Sequence, residues 1–122
     1  MEVTPKAPAE FAQIASLIGD EAFFVLVEAF GGTRVFIPQT LNRRHPVAEA
    51  IGWDALVALS AAFAGQHLTV PVARSWRVQV YSGRGMTRQQ IARALQMSER
   101  GVFHILGRIR TNDAQLALDL NG

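Results

Sequence analysis

The chain has 122 residues, 49% hydrophobic and 18% charged, which suits one small folded domain or two very small modules and excludes a wholly disordered chain. With no cysteine, disulfide scaffolds, thiol catalysis and cysteine-held zinc or iron–sulfur sites are excluded, and no apolar run reaches the roughly 18 residues of a membrane helix. The net charge of +2 is uneven: residues 1–71 sum to −3, residues 72–110 to +7 from eight arginines against Glu99 alone, and residues 111–122 to −2.

On charge alone, the arginine-rich segment fits a phosphate-bearing partner and a solvated basic face equally. Met1-Glu2-Val3-Thr4-Pro5-Lys6 lacks the basic-then-apolar order of a secretory signal, so a soluble cytoplasmic protein is expected.

Residues Glu10 to Ile18 space Phe11, Ile14, Ala15 and Ile18 as a helix does, and Gly19 ends it. Asp20 is expected to cap a second helix, Glu21 to Phe30, with acids in its first turn. Gly31-Gly32 stops that helix, Thr33 to Ile37 is a short β-rich run, and Pro38 ends it. A phosphate loop at Gly31-Gly32 with Arg34 has the wrong order, because anion loops run strand, glycines, helix and these glycines follow a helix.

After the polar linker Gln39 to His45 the pattern returns: a short helix after Pro46, a second from about Asp54 to Phe63, Gly65, a strand Gln66 to Val70, then Pro71. The segment Ile18–Pro38 reads again 33 positions later as Ile51–Pro71, with eight of 21 positions identical. Two copies are too few for a solenoid, so a pseudo-symmetric pair is expected. Strands this short cannot satisfy their backbone groups alone, so they pair with each other, with a second subunit, or both. Helix Glu21–Phe30 is apolar almost all round, which predicts a homodimer using Phe23, Leu26, Phe30, Val35, Ile37, Leu68 and Val70.

Beyond Pro71, Val72 to Tyr81 reads as a helix with Val72, Trp76 and Val80 on one stripe and Arg74, Arg77 and Tyr81 on another. Ser82-Gly83-Arg84-Gly85 breaks it. Thr87 with Gln90 forms a capping-box pattern for a helix Arg88 to Leu95, Gln96-Met97 is a tight turn, and Ser98 caps a helix continuing to about Arg110. Ile91, Ala92, Leu95, Met97, Val102 and Ile105 fall where the core of a helix-turn-helix needs them. Gln96 stands where glycine is commonest, and a left-handed backbone there costs about 1 kcal/mol.

The helix from Ser98 is then the reader, with Ser98, Glu99, Arg100, Phe103 and His104 facing bases. Arg74, Arg77, Arg84, Thr87, Arg88, Arg108 and Arg110 suit phosphates, which set register without reading sequence. Phe103 fits either this exposed face or a buried position against Trp76 or a neighbouring helix. His45, His67 and His104 have no metal-ligand spacing, Ser60 and Ser75 have no nearby base, and neither an enzyme nor a cofactor or metal is expected.

The run Phe63–Pro71, then Arg77, Tyr81-Ser82-Gly83-Arg84 and the helix-turn-helix, resembles the Mor/C transcription activators of Mu-like phages, and Gly31–Pro38 matches their strand element still better. The similarity covers roughly residues 10–110. It implies an intertwined homodimer that binds double-stranded DNA and activates phage or prophage promoters with host RNA polymerase. A repressor, or an interaction protein on the same scaffold, is the alternative. The chain departs from the pattern in its duplicated strand element, its Gly83-Arg84-Gly85 turn and its acidic tail. The expected fold is mainly α: residues 1–71 a helical dimerisation region with short β-strands, residues 72–122 a helix-turn-helix domain with a short acidic tail.

Overall fold

The computed structural model describes the backbone of residues 4–121 and the side chains of residues 4–111. Asp113 and Asp119 of the expected acidic tail therefore lie outside the described side chains. The fold is mainly helical with one short two-stranded sheet, and it divides into two compact units that meet between Ala73 and Arg74. No described helix is long and apolar enough to cross a membrane.

The first unit opens with a 3-10 turn, Ala9–Phe11, and runs α1 (Ala12–Ile18), α2 (Asp20–Phe30), β1 (Arg34–Ile37), α3 (Pro46–Ile51), α4 (Trp53–Phe63) and β2 (Gln66–Thr69). Gly19 joins α1 to α2 at φ 90°, ψ 156°, a conformation open to glycine and strained for other residues. Gly19 is the N-cap, so the expected cap residue Asp20 sits inside the first turn. Its Oδ1 instead accepts the Ala7 N–H at 2.9 Å and ties the N-terminal segment to the helix. Pro46 is the first residue of α3, where its missing N–H costs nothing, and His45 Nδ1 accepts from Val47 N–H at 3.1 Å.

The two strands pair antiparallel within one chain, with Arg34 opposite Thr69, Val35 opposite Leu68, Phe36 opposite His67 and Ile37 opposite Gln66. Helix α1 packs on α2 and α4, and α3 packs on α4 and α2. Phe23, Phe24, Leu26, Val27, Leu56 and Leu59 are buried, as are Ile37, Leu68 and Val70 from the strand segments.

These contacts bear on two expectations. The strands pair with each other, the first of the arrangements expected for them. Helix α2 buries four of its apolar residues, Phe23, Phe24, Leu26 and Val27, within one chain. Of the residues expected at a dimer surface, Phe23, Leu26, Ile37, Leu68 and Val70 are core side chains, while Phe30 and Val35 are half-buried.

The second unit holds α5 (Arg74–Gly83), α6 (Arg88–Leu95) and α7 (Glu99–Asn121), each packed on the other two. Helix α5 starts two residues later than expected because Ala73 adopts φ 50°, outside the helical region, so Val72 is not on its stripe. Trp76 and Val80 are buried, joined by Val78 and Tyr81. Gly85 at φ 85° turns the chain out of α5, and Met86 N–H donates to the Tyr81 carbonyl at 3.1 Å. Buried Ile91, Ala92 and Leu95 of α6 and Val102 and Ile105 of α7 continue this core, with Leu106 half-buried.

Helix α7 runs past the expected end near Arg110 to Asn121. Within it the Thr111 hydroxyl donates to the Gly107 carbonyl one turn back, at 2.9 Å.

Candidate nucleic-acid interface

Local hydrogen bonding holds the start of α6 and of α7. At α6, Thr87 Oγ1 accepts from Gln90 N–H at 3.1 Å and Gln90 Oε1 accepts from Thr87 N–H at 2.9 Å, a complete capping box. The helix ends at Gln96, whose φ 54°, ψ 48° is left-handed, and the Met97 N–H reaches back to the Ala92 carbonyl at 2.9 Å. Ser98 Oγ then accepts from Gly101 N–H at 3.0 Å and opens α7. Gly101 fits this cap closely: a Cβ there would stand 3.0 Å from Met97 Cε and 3.3 Å from Ser98 Oγ. The turn between the two helices is thus three residues, 96–98.

Every residue expected to face bases is exposed: Ser98, Glu99, Arg100, Phe103 and His104. Phe103 is 47% exposed, which removes the reading that buries it against Trp76 or a neighbouring helix. One face of its ring is covered instead by Arg88 of α6, whose guanidinium lies 5.4 Å from the ring centroid. The contact braces the start of α6 against the first turns of α7. Arg88, Glu99, Arg100 and Phe103 line one open depression there.

Arg100 Nε donates to His104 Nε2 at a long 3.4 Å, one helical turn on. That bond uses Nε alone, and the two terminal nitrogens of a guanidinium form the fork that matches guanine O6 and N7.

The phosphate candidates separate into two groups. Arg74, Arg84, Arg88, Arg108 and Arg110 are exposed. Thr87 is exposed too, and its hydroxyl oxygen serves the cap while its O–H can still donate. Arg77 differs: it is half-buried, donates through Nη2 to Tyr81 Oη at 3.2 Å, and has a buried Nε without a hydrogen-bond partner. Its guanidinium lies 5.7 Å from the centroid of the Tyr81 ring, so part of this cation is committed to Tyr81.

Two residues of the exposed face were missed in the sequence. Gly107 and Thr111 line a second open depression with Phe103, His104 and Arg108. The signal was present, since 103, 107 and 111 are successive steps of four, but ending the helix at Arg110 cut off Thr111, and Gly107 has no side chain to mark the face.

The histidines serve separate local roles. His45 caps α3, His67 lies with its ring centroid 5.1 Å from that of Phe36, and His104 accepts from Arg100. Among the described residues no three His, Asp or Glu side chains gather as they would around a metal ion. Comparison with protein-family profiles, with curated proteins and with solved structures found no match to this chain.

Proposed function

We propose that this chain is a sequence-specific DNA-binding transcription regulator, in which α6 and α7 act as a helix-turn-helix and α7 enters the major groove. The observation that carries this reading is the stripe Arg100, Phe103, His104 and Arg108. All four are exposed on α7 directly after a Ser98-capped start, and Arg88 is stacked on Phe103. Arg100 forks onto guanine, Glu99 accepts from cytosine N4, and Phe103 meets a thymine methyl. Arg74, Arg84, Arg108 and Arg110 neutralise phosphates, in a segment where eight arginines face one acid. The resemblance to the Mor/C activators favours activation of phage or prophage genes, with host RNA polymerase as partner, over repression.

Selection of bound duplexes from a random pool tests the reading. Recovery of one enriched motif supports it. Equal retention of all duplexes contradicts it and points to a basic face for some other acidic partner.

A further inference from the structure

The strand register has a symmetry that the repeat explains. Shifting by 33 positions turns Arg34 into His67 and Phe36 into Thr69, so the pair Arg34–Thr69 becomes the pair Phe36–His67, and both pairs are present. Val35 and Leu68 are equivalent positions and pair with each other, which puts a local two-fold axis between them.

The backbone hydrogen bonds obey the same operation. Gly32 N–H donates to the Val70 carbonyl at 2.8 Å, and the equivalent Gly65 N–H donates to the Ile37 carbonyl at 2.7 Å. The helices do likewise, because α1 packing on α4 becomes α3 packing on α2. Even the caps repeat: φ 90°, ψ 156° at Gly19 and φ 95°, ψ 159° at Gly52. Each copy therefore packs its first helix on the second helix of the other copy as well as on its own, and pairs its strand with the other copy's strand, as two intertwined subunits do.

We propose that residues 4–73 are a two-fold pair closed within one chain, so that the protein engages duplex DNA as a monomer, at a single asymmetric site. The facing strand edges, the helix packing between copies and the buried residues of α2 and α4 are satisfied without another molecule, while Leu17, Phe36 and Val57 stay exposed. The pair also carries a single second unit, because α5 to α7 follow only the second copy. One closed pair thus presents one reading helix. A two-fold dimer instead presents two, about one helical turn of DNA apart, and reads an inverted repeat. The DNA part of the proposal rests on the reading of α7 as the base-contacting helix, whereas the closure does not.

Sedimentation of the full chain at micromolar concentration tests the closure, and footprinting with stoichiometry on duplexes enriched from a random pool tests the site. Monomer mass without DNA, and one chain on one non-repeated motif, are expected. A stable dimer without DNA, including one formed by exchange of copies between chains, overturns the closure. An inverted repeat holding two chains overturns the monomeric site. A pool with no enriched sequence overturns the DNA reading and the asymmetric site with it, and sedimentation still decides the closure.

Discussion

Val35 and Leu68 face each other across the strand pair and are also the same position of the two repeat copies, 33 residues apart. A residue paired with its own equivalent marks the axis of a two-fold arrangement, so the sheet is the seam of the first unit. Exposure follows the symmetry on either side: Arg34 and His67 are exposed, as are Phe36 and Thr69, while Ile37 and Val70 are buried.

The linker 39–45 then serves to tether, since it contributes neither strand nor helix to the seam. A protease site inserted there is expected to leave the two copies associated after cleavage, because exposed loops tolerate insertion and the ladder joins the copies independently of it. Native gel filtration checks this. Separation of the fragments contradicts a seam held by the strands and the helix packing between copies.

The symmetry is broken at one informative place. Phe24 is fully buried, whereas its equivalent Val57 is 42% exposed. Phe24→Ala is therefore expected to destabilise the fold by about 3–5 kcal/mol, and Val57→Ser to lie within about 0.5 kcal/mol of wild type. Urea unfolding of both variants measures the contrast, and similar costs at the two sites contradict the asymmetry.

Gln96 is exposed and left-handed, so its conformation carries a strain of about 1 kcal/mol that glycine relieves in the folded state. Gln96→Gly is expected to raise the melting temperature by a few degrees with DNA affinity unchanged, since glycine is the usual residue just past a helix end. Thermal unfolding followed by circular dichroism reads the shift. A lower melting temperature means the greater freedom of glycine in the unfolded chain outweighs the relief.

Arg84 is exposed beyond the end of α5 and is assigned to a phosphate. Arg84→Ala is expected to weaken binding evenly across sequences and reduce the salt dependence of binding by about one counterion. Titrations at several salt concentrations measure this slope, and an unchanged slope removes Arg84 from the phosphate contacts.

Local chemistry was legible in the sequence and non-local pairing was not. Gly19, Pro46, Thr87 with Gln90, and Ser98 announced helix ends because their effects reach only a few residues. The strand register and the cover of α2 by α3 depend on residues far apart in the chain, so periodicity showed that α2 is apolar without showing what buries it. Ala73 at φ 50° and the continuation of α7 through Thr111 gave no sign, since neither alanine nor threonine announces such a conformation. At the candidate interface, the exposed stripe of α7 followed from spacing alone. The stacking of Arg88 on Phe103 and the capture of Arg77 by Tyr81 needed side-chain geometry.

The most direct test of α7 as the base-reading helix is the affinity of Arg100→Ala for the selected duplex and for each of its single-base-pair variants. A loss of about 1–3 kcal/mol on the selected site, with discrimination abolished at one base pair and kept at the others, is predicted. An equal loss on every variant and on unrelated duplex DNA contradicts base reading by Arg100 and reduces α7 to a phosphate-binding surface.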